Sequence, residues 1–119
     1  MRHFLFSPRL GTPPTISNNT WGINIQQVSN SNTIQSNTIT DQLVDGIAIF
    51  SGAANIIKAN RVDMNVNGIH VYAGSPDNTI TSNVALNNGV FDLEDDSPNC
   101  DNNTWFHNRF NTANQPCIH

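Results

Sequence analysis

The pattern N-x-I-x-x-N returns along the chain at nearly constant spacing. It appears as Asn32, Ile34 and Asn37, then Asn55, Ile57 and Asn60, then Asn78, Ile80 and Asn83; a fourth copy has Asn103, Trp105 and Asn108. The leading asparagine recurs after 23, 23 and 25 residues, and each copy carries an apolar residue two places beyond its second asparagine: Ile39, Val62, Ala85 and Phe110. Self-similarity at a period of about 20 to 50 residues marks repeat architectures, in which one unit cannot bury its apolar face alone and stacks on its neighbours.

A second pattern interleaves with the first. Gly22, Gly46 and Gly68 each open an alternating apolar pair: Ile23 and Ile25, Ile47 and Ile49, Ile69 and Val71. In the fourth unit Phe91 and Leu93 flank Asp92, a register that keeps the 22-residue step from Ile47 through Ile69 to Phe91. Each unit thus holds three short segments with the two-residue period of a strand, and no stretch keeps a helical period over about 11 residues. The expected fold is all-β: a single-stranded right-handed parallel β-helix, a solenoid of about four coils, with coils about 4.8 Å apart. Residues 21–119 carry the repeats and end in a capping coil. Residues 1–20, with Pro8, Gly11, Pro13 and Pro14, read as an irregular segment: a poorly formed cap, or the cut edge of a longer β-helix of which this chain is the C-terminal portion.

Composition narrows the function classes. The 119 residues include 20 asparagines, 12% charged and 37% hydrophobic residues. That is enough apolar material for a narrow core, without the charge that accompanies disorder. A net charge of -4, with Arg2, Arg9, Lys58, Arg61 and Arg109 scattered, gives no footprint for phosphate backbones, so nucleic acid is not an expected partner. No apolar run approaches the roughly 18 residues of a membrane span, and Phe4-Leu5-Phe6 is too short for a signal-peptide core. Cys100 and Cys117 suit a loop-closing disulfide better than a metal site, with two reduced thiols as the alternative; His3, His107 and His119 share no metal-like spacing with them. An extracellular or periplasmic location follows, without a signal peptide in this chain.

Residues 21 to 119 resemble the parallel β-helix repeat proteins of the pectate-lyase-like superfamily, and the tail Cys100 to Cys117, with Asn103-Thr-Trp-x-x-Asn108-x-Phe110, looks like a closing coil of that group. The resemblance implies that Asn37, Asn60, Asn83 and Asn108 stack as a structural ladder at the tight turn between second and third strands. Asparagine suits that place because it tolerates the left-handed conformation and its amide can bond backbone groups. The resemblance also implies that the first sheet and its flanking loops form a sugar-binding groove. In the expected register, the outward positions of the glycine-led strand form two columns: Asn24, Ala48, His70, Asp92 and Gln26, Phe50, Tyr72, Glu94. Phe50, His70, Tyr72, Asp92 and Glu94 are therefore the binding candidates, since rings stack on sugar faces and carboxylates bond hydroxyls. The partner class is a polysaccharide or cell-surface glycan.

A run of acids follows: Asp92, Glu94, Asp95 and Asp96. Crowded carboxylates raise the pKa of one of their number, so His70, Asp92, Glu94 and Asp95 are candidates for acid and base. Asp95 and Asp96, with carbonyls of the Ser97-Pro98-Asn99 turn, offer Ca2+ oxygen ligands, whereas a solvated acidic loop guarding the upper edge is the plain alternative. No other cofactor is expected. The superfamily's catalytic motifs are incomplete: Asp45 precedes Gly46-Ile47 and Asp95 precedes Asp96, but G-H-G and R-I-K are missing, Ser75-Pro76-Asp77 does not match D-P-H, and Arg61 and Arg109 follow ladder asparagines on another face. Three functions stay open: a carbohydrate-binding module, a polysaccharide lyase or hydrolase, and a structural or adhesive surface solenoid. Phe50 and Tyr72 beside acids favour binding.

Overall fold

A computed structural model describes residues 2–3 and 15–119. The strands are β1 (Arg2–His3), β2 (Thr15–Ser17), β3 (Ile23–Gln26), β4 (Thr33–Gln35), β5 (Thr38–Thr40), β6 (Asp45–Ile49), β7 (Ile56–Lys58), β8 (Arg61–Asp63), β9 (Asn67–Val71), β10 (Thr79–Thr81), β11 (Val84–Leu86), β12 (Leu93–Asp95), β13 (Thr104–Phe106) and β14 (Arg109–Phe110). They sort into three sheets that run the length of a solenoid of about four turns: β1-β3-β6-β9-β12, β4-β7-β10-β13 and β2-β5-β8-β11-β14. Successive coils pair in parallel, and β1 lies antiparallel on β3. Pairing therefore starts before residue 21, because Thr15–Ser17 already joins the third sheet against β5. The rest of the irregular segment expected at 1–20 lies mostly outside the described residues. Among the described residues no helix is long and apolar enough to cross a membrane.

Parallel pairing puts equivalent residues one coil apart, so the core is a set of columns. Ile23, Ile47, Ile69 and Leu93 form one; Ile34, Ile57, Ile80 and Trp105 another; Ile39, Val62, Ala85 and Phe110 a third. All but the half-buried Phe110 are buried. Each fully buried Ile or Val contributes roughly 1.5–3 kcal/mol relative to exposure, which is how three-residue strands hold in place. Gly46 and Gly68 sit where the chain turns into the first sheet. A Cβ there would lie 2.4 Å from Val62 Cγ1 and 2.2 Å from the Asp92 carbonyl oxygen, respectively, so no side chain fits at that corner.

The corners carry asparagine. Asn60 Oδ1 accepts from the Asn37 backbone N–H and side-chain amide at 2.9 and 3.1 Å, Asn83 does the same for Asn60, and Asn108 for Asn83. Asn32, Asn55, Asn78 and Asn103 form an equivalent column at the preceding corner. A third runs through Gln42, Asn65 and Asn88 and ends on Asp92, whose Oδ1 accepts from both the backbone and side-chain N–H of Asn88. The left-handed conformation expected of the ladder asparagines belongs to the residue before each: Ser36, Ala59, Ser82 and His107 have φ of 61°, 56°, 59° and 58°. The strain falls there because the asparagine must stay extended enough to aim its amide along the stack.

The fourth coil departs from the expected register. Leu93 pairs with Ile69, Glu94 with His70 and Asp95 with Val71, a step of 24 residues rather than 22. Phe91 thus stays out of the core column. Asp92 uses the extra length to end the third column and to accept from the backbone N–H groups of Asn111 and Thr112 at 2.9 and 3.1 Å. The C-terminal end is closed by the Cys100–Cys117 disulfide, with Trp105 and Ile118 buried and Phe110 packed against the core. A loop of this size contributes about 3 kcal/mol by restricting the unfolded chain. Phe106 takes no part in this cover: it is 38% exposed, because its strand alternation turns it outward beside buried Trp105.

Candidate functional site

The outer face of the first sheet gathers side chains from three successive coils. His70 follows Ala48 in the outward column and precedes Glu94. With only a methyl group on the coil before, the imidazole has room to lean across the sheet. Its Nδ1 lies 3.0 Å from Asp45 Oδ1 and its Nε2 2.8 Å from Asp96 Oδ2 and 3.4 Å from Glu94 Oε2. The glycine corner at Gly46 turns the residue before it toward this face. Asp45 is fully buried there and also accepts from Asn67 Nδ2 at 3.1 Å and from the Tyr72 hydroxyl at 2.7 Å.

Aromatic rings brace the imidazole. His70 stacks on Tyr72 at 3.7 Å between centroids, Tyr72 stacks on Phe50 at 4.2 Å, and Trp21 meets Phe50 edge-on at 5.5 Å. The His70 ring is thus held on one face by packing and at both nitrogens by carboxylates, and the residue is only 5% exposed. Side-chain rotamers locked in this way hold a site to a narrow geometry.

The charges set the protonation. Burial disfavours the imidazolium, but the bonds to Asp45 and Asp96 and the charges of Asp45 and Glu94 outweigh it, so the His70 pKa is raised. Burial, the bonded Asp96 and the neighbouring charges push Glu94 up to about 7, with His70 only partly opposing them. Burial and the Asp45 carboxylate also raise the Tyr72 hydroxyl, which stays neutral and donates. His70 Nε2 and the carboxylates of Glu94 and Asp96 offer three ligand atoms, all within 4.8 Å of one another.

Of the residues singled out from sequence, Phe50, His70, Tyr72 and Glu94 meet on this face. Asp92 does not: the register change carries it off the outward column to the corner, where it is buried and its oxygens accept from Asn88, Asn111 and Thr112. Asp95 also turns away. It occupies an inward position, fully buried, and accepts from Trp105 Nε1 at 2.9 Å, Asn103 Nδ2 at 3.1 Å and the Ser97 backbone N–H at 3.0 Å. Strand alternation therefore points Asp95 and Asp96 to opposite sides, and the two do not converge as a calcium pair. Asp45 was visible in the sequence only as a fragment of an incomplete motif. The signal that could have found it is an acid directly before a corner glycine, one coil below an outward histidine.

The family described as Periplasmic copper-binding protein (NosD) matches residues 14–118 of the chain. No curated protein and no solved structure matches it.

Proposed function

Because the chain belongs to the NosD family of periplasmic proteins, we propose that it is a periplasmic β-helix module that holds a metal ion on the outer face of its first sheet. One observation carries the reading: the convergence of His70 Nε2 with the Glu94 and Asp96 carboxylates. An imidazole nitrogen and carboxylate oxygens are donors that copper(II) and zinc accept. The surroundings support it, since Asp45 occupies Nδ1 and leaves Nε2 as the ligand atom, with the ion replacing the proton shared with Asp96. A carboxylate that accepts from the other ring nitrogen orients a metal-binding histidine in this way. A bound ion of this class acts as a Lewis acid on oxygen ligands. Equilibrium dialysis against copper(II) followed by metal analysis is expected to retain one ion per chain, and His70→Ala with Glu94→Gln is expected to lose it while keeping the β-sheet circular dichroism. Equal retention by that variant would refute the assignment.

A second reading, polysaccharide binding on the same face, is favoured by Trp21, which is 37% exposed and packs edge-on against Phe50. Phe50 and Tyr72 cover each other's faces, so sugar contact falls on Trp21 and on the rims of the other two rings. In affinity gels containing acidic or neutral polysaccharide, retardation that Trp21→Ala does not reduce would reject this surface.

A further inference from the structure

We infer that the His70, Glu94 and Asp96 site is built for a divalent ion and discriminates against copper(I), with Asp45 as the positioning residue that makes Nε2 the ligand atom. This inference rests on the metal-binding reading above and deepens it by naming the ion's charge class.

Three observations carry it. The first is the donor set. Copper(I) prefers thiolate and thioether sulfur, and the cluster has one nitrogen and carboxylate oxygens. Both cysteines are tied in the Cys100–Cys117 bridge, and the described methionine, Met64, stands exposed in the turn after β8. No sulfur enters the cluster among the described residues. The second is charge. With Asp45 the cluster carries three carboxylates around one imidazole, so a divalent ion leaves one surplus negative charge and a monovalent ion leaves two, and partly buried charge left unbalanced is costly. Asp45 is fully buried and Glu94 half-buried while Asp96 is exposed, so only part of the surplus is solvated.

The third is the anchoring of the imidazole. Asp45 is fully buried, bonds His70 Nδ1 at 3.0 Å and is itself held by the Asn67 amide and the Tyr72 hydroxyl. A proton held on Nδ1 by Asp45 means that an ion displacing the proton between Nε2 and Asp96 meets the Nε2 lone pair beside Glu94 and Asp96. The Tyr72 and Phe50 stack fixes the ring plane. The groups facing the imidazole are thus Asp45, Glu94, Asp96 and the Tyr72 ring, one of them a dedicated hydrogen-bond acceptor on the side away from the ion.

The test compares the affinities of the whole chain for zinc(II), copper(II) and copper(I). Copper(I) is delivered anaerobically as a chelator complex without thiol reductant, so that the Cys100–Cys117 bridge stays closed. The expected result is binding of both divalent ions with copper(I) weaker by more than about 100-fold, and a copper(II) electron paramagnetic resonance spectrum showing coupling to one imidazole nitrogen. Copper(I) affinity within 100-fold of copper(II) would overturn the inference and leave metal binding standing; binding of none of the three would overturn both. Asp45→Asn is expected to weaken copper(II) by about 10- to 100-fold, the usual cost of losing the carboxylate behind a ligating histidine, and to change the copper(II) spectrum. An Asp45→Asn variant with wild-type thermal unfolding, unchanged affinity and an unchanged spectrum would remove Asp45 from this role. Should that variant not fold, the comparison of copper oxidation states in the unaltered chain still decides the inference.

Discussion

At the corners of the solenoid, Asn37, Asn60 and Asn83 are buried and neutral, each donating its side-chain N–H to the next coil; on the outer face of the first sheet, Asp45 and His70 are buried, Glu94 is half-buried and Asp96 is exposed, all four are ionisable, and their partners come from three coils. Both sets repeat the same geometry, a side chain reaching one coil along the axis. From Asn60 onward each amide oxygen accepts from the coil before it, and the one unfilled position is the buried Asn37 oxygen at the first rung; none of these groups titrates, so the column is insensitive to pH. The carboxylates outnumber the imidazole, and the cluster is left with surplus negative charge and a raised proton affinity. The difference teaches that a column closes on itself when its members carry both donor and acceptor, and is left asking for a cation when most carry only acceptors.

The largest effect expected from breaking this comparison is at Asn60. Asn60→Ala removes the acceptor of the Asn37 backbone N–H and the side-chain donor to the Ile34 carbonyl oxygen, while Asn83 Oδ1 keeps the residue-60 backbone N–H and Asn37 Nδ2 keeps the Gln35 carbonyl; it should cost about 3 kcal/mol, since each buried unpaired group costs roughly 1–3 kcal/mol. A free energy of unfolding in urea within about 1 kcal/mol of the parent would show that the columns are decorative. Next comes pH. His70 and Glu94 both hold protons more tightly when folded, so the stability they contribute is complete below their unfolded values. It is lost as pH rises, for Glu94 between 4.5 and about 7 and for His70 above 6.5. Solvent screening keeps the loss on the order of 1 kcal/mol from pH 5 to 8 in the presence of a chelator. Asn60→Ala should keep this slope and His70→Ala with Glu94→Gln should flatten it; the reverse pattern would place the titration elsewhere.

A smaller gain is expected at Ala59, which is left-handed at φ 56°. Ala59→Gly relieves about 1–2 kcal/mol of steric cost and gives back about 0.4–1 kcal/mol in unfolded-chain entropy, for a net stabilisation of about 0.5–1 kcal/mol by thermal melting. Destabilisation would mean that the corner is not strained. The smallest effect is at Glu94. At pH 8 Glu94→Gln should stabilise the metal-free protein by a few tenths of a kcal/mol, since it removes one of the crowded carboxylates. A loss of stability would show Glu94 to be a favourable partner of His70 rather than a surplus charge.

The coils were legible because their signals are local. Ile23 and Ile25, or Ile47 and Ile49, announce strands by alternation within a few residues, and the recurring asparagines give the coil length directly. Phe50, His70, Tyr72 and Glu94 were legible as outward positions for the same reason. The position of Asp92 is not legible in the sequence, because the fourth coil is 24 residues from Ile69 to Leu93 and Asn88, Asn111 and Thr112 converge on its carboxylate from distant parts of the chain. Asp95 is hidden from the sequence for a related reason: in the register of the fold its alternation points inward to Trp105, and that of Asp96 outward to His70.

By itself, the sequence determined that this chain winds into a stack of three-stranded coils, since a 23-residue period with two-residue alternation inside it admits few other ways to bury the isoleucines. Only the tertiary structure decided that Asp45, His70, Glu94 and Asp96 meet. Alternation says which side of a strand a residue faces, but its neighbour on the next coil depends on how many residues each corner consumes, and the corners are settled by long-range hydrogen bonds and by the space left at Gly46 and Gly68.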